Sequence, residues 1–184
     1  MTSGTSANTS AIPHAARRVA AHPAGLAALA IAVIAAATLM GAWYFQYFRD
    51  IVPCPMCLEQ RYAYYFAIPF AALLAFAAFR GAPRGLLLAG LALLAVATLG
   101  NALFGAYHAG VEWGFWAGPS SCTGPLLNVG KAGSLFDQLD KVKVVPCDVV
   151  QWRKFGISLA GYNALISLAM TAIAALGMAR TAKY

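Results

Sequence analysis

The sequence predicts an all-α membrane protein, a bundle of four transmembrane helices. Three observations predict it. Hydrophobic residues make up 61% of the 184 positions and charged residues only 10%, far below the roughly 25% usual in a soluble domain. Four apolar runs recur, each close to the ~20 residues that a ~30 Å hydrocarbon core demands. The positive residues stand at the ends of those runs. Open strands would leave backbone groups unpaired in lipid, so the spans are helical.

In order, residues 1–22 read as a disordered tail rich in Ser, Thr, Ala and Pro, with Arg17 and Arg18 near its end. The run that follows, 24–48, is too long for the core of a cleaved signal peptide and is taken as the first span. The second covers 55–79, with Pro69 as a kink position. Arg80-Gly81-Ala82-Pro83-Arg84 makes a tight connection to the third span, 85–107. The stretch 108–155 carries too many charges and turn residues to cross a bilayer, and the last span is 156–178. Residues 23–184 thus form one transmembrane domain with two loops on one side, 49–61 and 108–155.

Charge sets the orientation. The tail, the Arg80–Arg84 turn and the C-terminus hold six positive residues and no acidic one: Arg17, Arg18, Arg80, Arg84, Arg180 and Lys183. The two opposite loops are nearly balanced. An excess of Lys and Arg marks the cytoplasmic side, so both termini are expected there. Trp43, Trp113, Trp116 and Trp152 then fall at the outer interface, where tryptophan is enriched. The net charge of +7 serves topology. No basic stripe interleaved with aromatics is present to bind nucleic acid.

The outer side also receives every cysteine: Cys54, Cys57, Cys122 and Cys147. Disulfides persist outside the cytoplasm. Pro53-Cys54-Pro55-Met56-Cys57 places a Cys-x-x-Cys pair at the start of the second span. Pro55 suits the first helical position, where a missing N–H costs nothing. Cys57 falls in the first turn, where free N–H groups and the helix dipole favour an anion, and thiolate is the reactive form of cysteine. Arg61, four residues on, shares that helix face. An arginine this close to hydrocarbon is costly enough to mark function. Four cysteines allow three connectivities. A zinc site would present paired ligands on tight knuckles, whereas Cys122 and Cys147 are isolated singles, so no metal is expected. Structural stapling suits Cys122 and Cys147 but fits poorly a Pro-flanked pair opening a membrane helix above an arginine. In the second loop, apolar residues between Gly133 and Lys143 recur at helical spacing, as in a short helix lying on the membrane surface.

Taken together, these residues resemble the DsbB family, the disulfide bond formation proteins of bacterial inner membranes. The resemblance rests on four spans, Cys54-Pro-Met-Cys57 in the first outer loop, Arg61 after it, and Cys122 and Cys147 in the second. Tyr107-His108 and Pro146-Cys147-Asp148 with Trp152 also resemble family sequences. It covers all but the first 20 or so residues. It implies a multi-pass inner-membrane thiol:quinone oxidoreductase with its active site on the periplasmic side; nothing in the sequence calls for an obligate oligomer, and a monomer is expected. Its partner would be a DsbA-type dithiol oxidase and its acceptor a quinone, ubiquinone or menaquinone. Because that partner is a strong oxidant, its reoxidation needs an acceptor of still higher potential. By the same resemblance, Cys122 forms the mixed disulfide, Cys147 is its bonded mate, and electrons move to Cys54 and Cys57. Cys57 would deliver them to the quinone, and Arg61 would bind a quinone carbonyl and stabilise charge developing there. His108 and Tyr65 are candidates for the quinone pocket, with Tyr62 and Trp43 beside them.

Two other readings compete. The vitamin K epoxide reductase type has similar parts, but there the loop pair precedes the Cys-x-x-Cys, the reverse of the order here. A four-span scaffold with structural disulfides is the non-enzymatic alternative. It predicts bridges inert to mild reductant and no bound quinone.

Overall fold

A computed structural model describes residues 22–119, Cys122 and 145–183. The expected tail, up to residue 21, and the expected surface helix at 133–143 lie outside the described residues.

Four long helices make up the described chain: α1 (Pro23–Phe48), α2 (Pro55–Phe79), α3 (Arg84–Glu112) and α4 (Leu159–Thr181). All four are long and apolar enough to cross a membrane. Pro23 and Pro55 open α1 and α2 at positions where the missing N–H is no loss. Ser158 caps α4, its Oγ accepting from Gly161 N at 3.2 Å. Between α2 and α3 the chain turns at Gly81, whose φ of +80° suits a residue without Cβ. Helix α2 continues through Pro69 without interruption.

Each helix packs against its neighbours in sequence, and α4 closes the ring against α1. The α3–α4 and α1–α2 interfaces are the most extensive. Lipid tails are as apolar as leucine, so helices in a bilayer associate through close packing of small residues and interhelical hydrogen bonds. The core follows that rule: Ala28, Ala35, Ala71, Ala75, Ala78 and Ala174 are buried around Ile31, Leu91, Leu94 and Met170. At Gly105 the approach is close enough that an added Cβ would lie 3.0 Å from the backbone nitrogen of Ala164 on α4.

Two departures from the expected boundaries shape the outer end. Helix α3 runs past Tyr107 to Glu112, so His108 is helical and buried where a loop residue was expected. Before α4 the chain forms a hairpin, β1 (Arg153–Lys154) pairing with β2 (Ile157–Ser158) antiparallel, Lys154 opposite Ile157. Its two-residue loop, Phe155-Gly156, has φ of +52° and +80°, the two positive values of a turn matched to strand twist. The last helix therefore starts at Leu159, later than the 156 expected. Beyond α3, Gly114 (φ +75°) reverses the chain. Trp116 lies back against Gly110, its indole N–H donating to the Tyr107 carbonyl at 2.9 Å.

Candidate functional site

The site is built on the first turns of α2. Cys54 is the N-cap, in extended conformation, and its Sγ accepts from Cys57 N at 3.2 Å. That cap brings the two thiols together, Sγ to Sγ at 2.7 Å. Both are free cysteines, Cys54 buried and Cys57 partly exposed. The contact with Cys57 and burial hold the Cys54 thiol well above the ordinary thiol range. Cys122 and Cys147 form a disulfide, which resolves the three connectivities to one for this state. Cys54, Met56, Cys122 and Cys147 make one buried cluster, with Cys57 and Phe104 packed against it. The dithiol and the disulfide are therefore neighbours.

On the same face of α2, Cys57, Gln60, Arg61 and Tyr64 are spaced by three and four residues and point into the bundle together. They line a cavity of about 630 Å³ between α1, the hairpin and α4, shared with Cys54, Cys147, His108 and Glu112. Its other walls are largely apolar, among them Leu39, Phe45, Ile51 and Ile166. Arg61 donates to Gln46 Oε1 on α1 at 2.6 Å, which fixes a permanent cation at the cavity wall. His108, on α3, is 1% exposed. Its Nε2 lies 3.6 Å from Cys54 Sγ and its Nδ1 3.0 Å from Gln60 Nε2.

Of the residues singled out from sequence, the structure brings together Cys54, Cys57, Cys122, Cys147, Arg61 and His108. Tyr65 is not among the cavity's lining residues; it is 44% exposed on the bundle's outside, as are Tyr62 and Trp43. The correction follows from helix rotation. Tyr64 is seven residues from Cys57 and lies on its face, whereas Tyr65 is turned about 100° further round. Sequence reasoning also passed over Gln60, which stands between Glu59 and Arg61, and Asn101, Asn163 and Ser167, polar positions inside apolar runs, which was the signal available to find those three.

Cys54, Cys57 and His108 bring three metal-ligating atoms within 4.8 Å of one another. Two thiolates on a tetrahedral zinc at ~2.3 Å would stand roughly 3.8 Å apart, and here the sulfurs are at 2.7 Å. That spacing suits a dithiol ready to close a bond.

A four-span bundle that sets a dithiol beside a disulfide, at the head of an apolar cavity, defines a membrane thiol–disulfide oxidoreductase. The sequence matches the family described as "Disulfide bond formation protein DsbB" over residues 24–177. The chain belongs to that family. It is also 30% identical over 152 residues to a "Disulfide bond formation protein B" of Hahella chejuensis (strain KCTC 2396), covering 80% of this chain and 89% of that protein. No solved structure matches.

Proposed function

We propose that the protein reoxidises a DsbA-type dithiol oxidase through Cys122 and Cys147 and passes the two electrons, by way of Cys54 and Cys57, to a quinone in the cavity. We place it in the bacterial inner membrane with the four cysteines on the periplasmic side, an orientation that the distribution of positive charge supports. The observation that carries the reading is the meeting of dithiol, disulfide and cavity at one place.

The residues fit such an acceptor. About 630 Å³ is in the range of small-molecule sites, which are mostly apolar with a few placed polar groups. Arg61 would hold a carbonyl oxygen by its guanidinium fork, with His108 also lining the cavity and its apolar walls taking the ring. A quinone supplies a two-electron, two-proton acceptor.

The chain's own chemistry is disulfide exchange. A thiolate of the partner attacks one sulfur of Cys122–Cys147, and the other leaves as a thiolate. The partner's second thiolate then closes its own disulfide, leaving Cys122 and Cys147 reduced. Those two reduce a Cys54–Cys57 disulfide by the same attack and departure. Each exchange moves two electrons with no net loss, so only the final step needs an external oxidant. Cys57 is the partly exposed member of its pair and lines the cavity with Arg61, which supports it as the sulfur that reacts there.

The test is steady-state quinone reduction by purified protein in detergent, with a reduced DsbA-type donor and ubiquinone and menaquinone analogues offered separately. Turnover is expected in wild type, absent in Cys57→Ser, and shifted to higher quinone concentration in Arg61→Ala. If wild type neither consumes quinone nor oxidises the donor, the scaffold with structural disulfides is the better reading.

A further inference from the structure

We propose that Gln60 and Asn163 are positioning residues that hold His108 in the tautomer whose Nε2–H faces the Cys54 sulfur. This deepens the reading above and rests on Cys54 and Cys57 being the redox pair.

The inference comes from following donors and acceptors through the bundle. Asn163 Oδ1 receives the Tyr64 hydroxyl and, at 3.4 Å, Asn101 Nδ2. Ser167 Oγ ties the same group together, 3.2 Å from the Tyr64 hydroxyl and 2.9 Å from Asn101 Nδ2. With its oxygen so engaged, Asn163 turns its amide nitrogen to Gln60, and Nδ2 donates to Gln60 Oε1 at 2.8 Å. Gln60 must then present its own nitrogen to His108 Nδ1 at 3.0 Å. An amide nitrogen only donates, so Nδ1 must accept, and a neutral imidazole then carries its proton on Nε2. That nitrogen lies 3.6 Å from Cys54 Sγ.

The network joins three helices, α2, α3 and α4; Gln60, Tyr64, Asn101, His108 and Ser167 are each 6% exposed or less, and Asn163 is half-buried. Polar groups at this depth are expensive unless every partner is satisfied. Reversing every amide would give the opposite tautomer, with Nε2 as a base. In the first arrangement Asn163 Oδ1 takes two donors, from Tyr64 and Asn101, and the measurement below decides between the two.

The consequence is chemical. To close the Cys54–Cys57 bond, both thiols give up a proton and two electrons pass to the acceptor. When the bond opens, the departing sulfur leaves as a thiolate. Cys54 is buried among apolar neighbours and disulfide sulfur, where a negative charge has little solvent. Beside the Cys57 N–H, which already donates to this sulfur at 3.2 Å, a donated Nε2–H adds a second stabilising contact.

The experiment is ¹⁵N NMR of ring-labelled histidine in the reduced full-length protein in nanodiscs, with His108→Gln identifying the signal. The protonated and unprotonated ring nitrogens are read directly, with no donor or quinone present. Wild type is expected to show only the Nε2–H tautomer of His108. Asn163→Leu removes the relay without touching the ring and is expected to populate the Nδ1–H tautomer. It should also slow dithiol oxidation by about tenfold, the order of one hydrogen bond to a charged group. Gln60→Leu gives the same pattern and serves if Asn163→Leu does not fold. An Nδ1–H ring in wild type overturns the proposal, as does an unchanged tautomer or unchanged oxidation rate in both variants. Because the tautomer is read without turnover, those results leave the redox reading standing. That reading falls separately if Cys57→Ser still turns over.

Discussion

Substituting Gly105 by alanine tests whether α3 and α4 approach as closely as the site requires. The new Cβ would lie 3.0 Å from Ala164 N, 3.1 Å from Ala164 Cα and 3.1 Å from Asn163 Nδ2. Two of these atoms are backbone, so relief requires the helices to part by several tenths of an ångström. Overpacking of this kind costs about 1–3 kcal/mol, and alanine returns roughly 1 kcal/mol over glycine within a helix. The net expectation is a loss of about 0–2 kcal/mol. Gly100, on the same helix, has nothing within 4 Å of an added Cβ, so Gly100→Ala keeps only the gain, up to about 1 kcal/mol. The two variants should therefore bracket wild type, Gly100→Ala above it and Gly105→Ala below or level. The assay is unfolding in mixed micelles with rising SDS, followed by far-UV circular dichroism. If Gly105→Ala is stabilised as much as Gly100→Ala, the close approach is refuted.

Three further outcomes are expected. In the reduced protein, mass spectrometry after brief alkylation near pH 8 should find Cys57 modified at least ~10-fold faster than Cys54. Cys54 is buried and its thiol is held above the ordinary range, so its thiolate and its labelling should grow only as pH rises further; Cys54 labelled first would contradict the site. Gly110→Ala sets a Cβ against the Trp116 ring with no room for it, so the indole must swing out, seen as a red shift of tryptophan emission that Trp116→Phe abolishes. Arg61→Lys loses the fork that matches a carbonyl and should raise the apparent KM for quinone by about tenfold with donor exchange unchanged; equal KM values would remove Arg61 from the pocket.

Much of this fold was legible because lipid imposes a simple rule on sequence. Four apolar runs became four helices, and the cysteines at their ends became one cluster. The boundaries were harder to read. Ala109, Gly110 and Val111 continue α3 beyond Tyr107, yet His108 and Glu112 looked like the start of a polar loop. Both turn inward at the bundle's end, where polar side chains meet the site. The hairpin at 153–158 was missed because Phe155-Gly156 carries only half of the usual turn signal, a glycine without a preceding Asn or Asp. Within the site, the cysteines and Arg61 declared themselves by residue type and spacing. Residue type alone singles out Tyr65 no less than Tyr64; only rotation from Cys57 puts Gln60, Arg61 and Tyr64 on its face. Asn101, Asn163 and Ser167 come together from α3 and α4, and no local pattern encodes that meeting.

The most direct measurement begins with fully reduced protein in detergent, without donor. One equivalent of quinone is added, the reaction is quenched in acid at short times, and the cysteine pairs are mapped by mass spectrometry. The expected result is quinone consumed in step with a Cys54–Cys57 disulfide, with Cys122–Cys147 forming later at its expense. Oxidation of Cys122 and Cys147 while Cys54 and Cys57 stay reduced would contradict the proposed electron route.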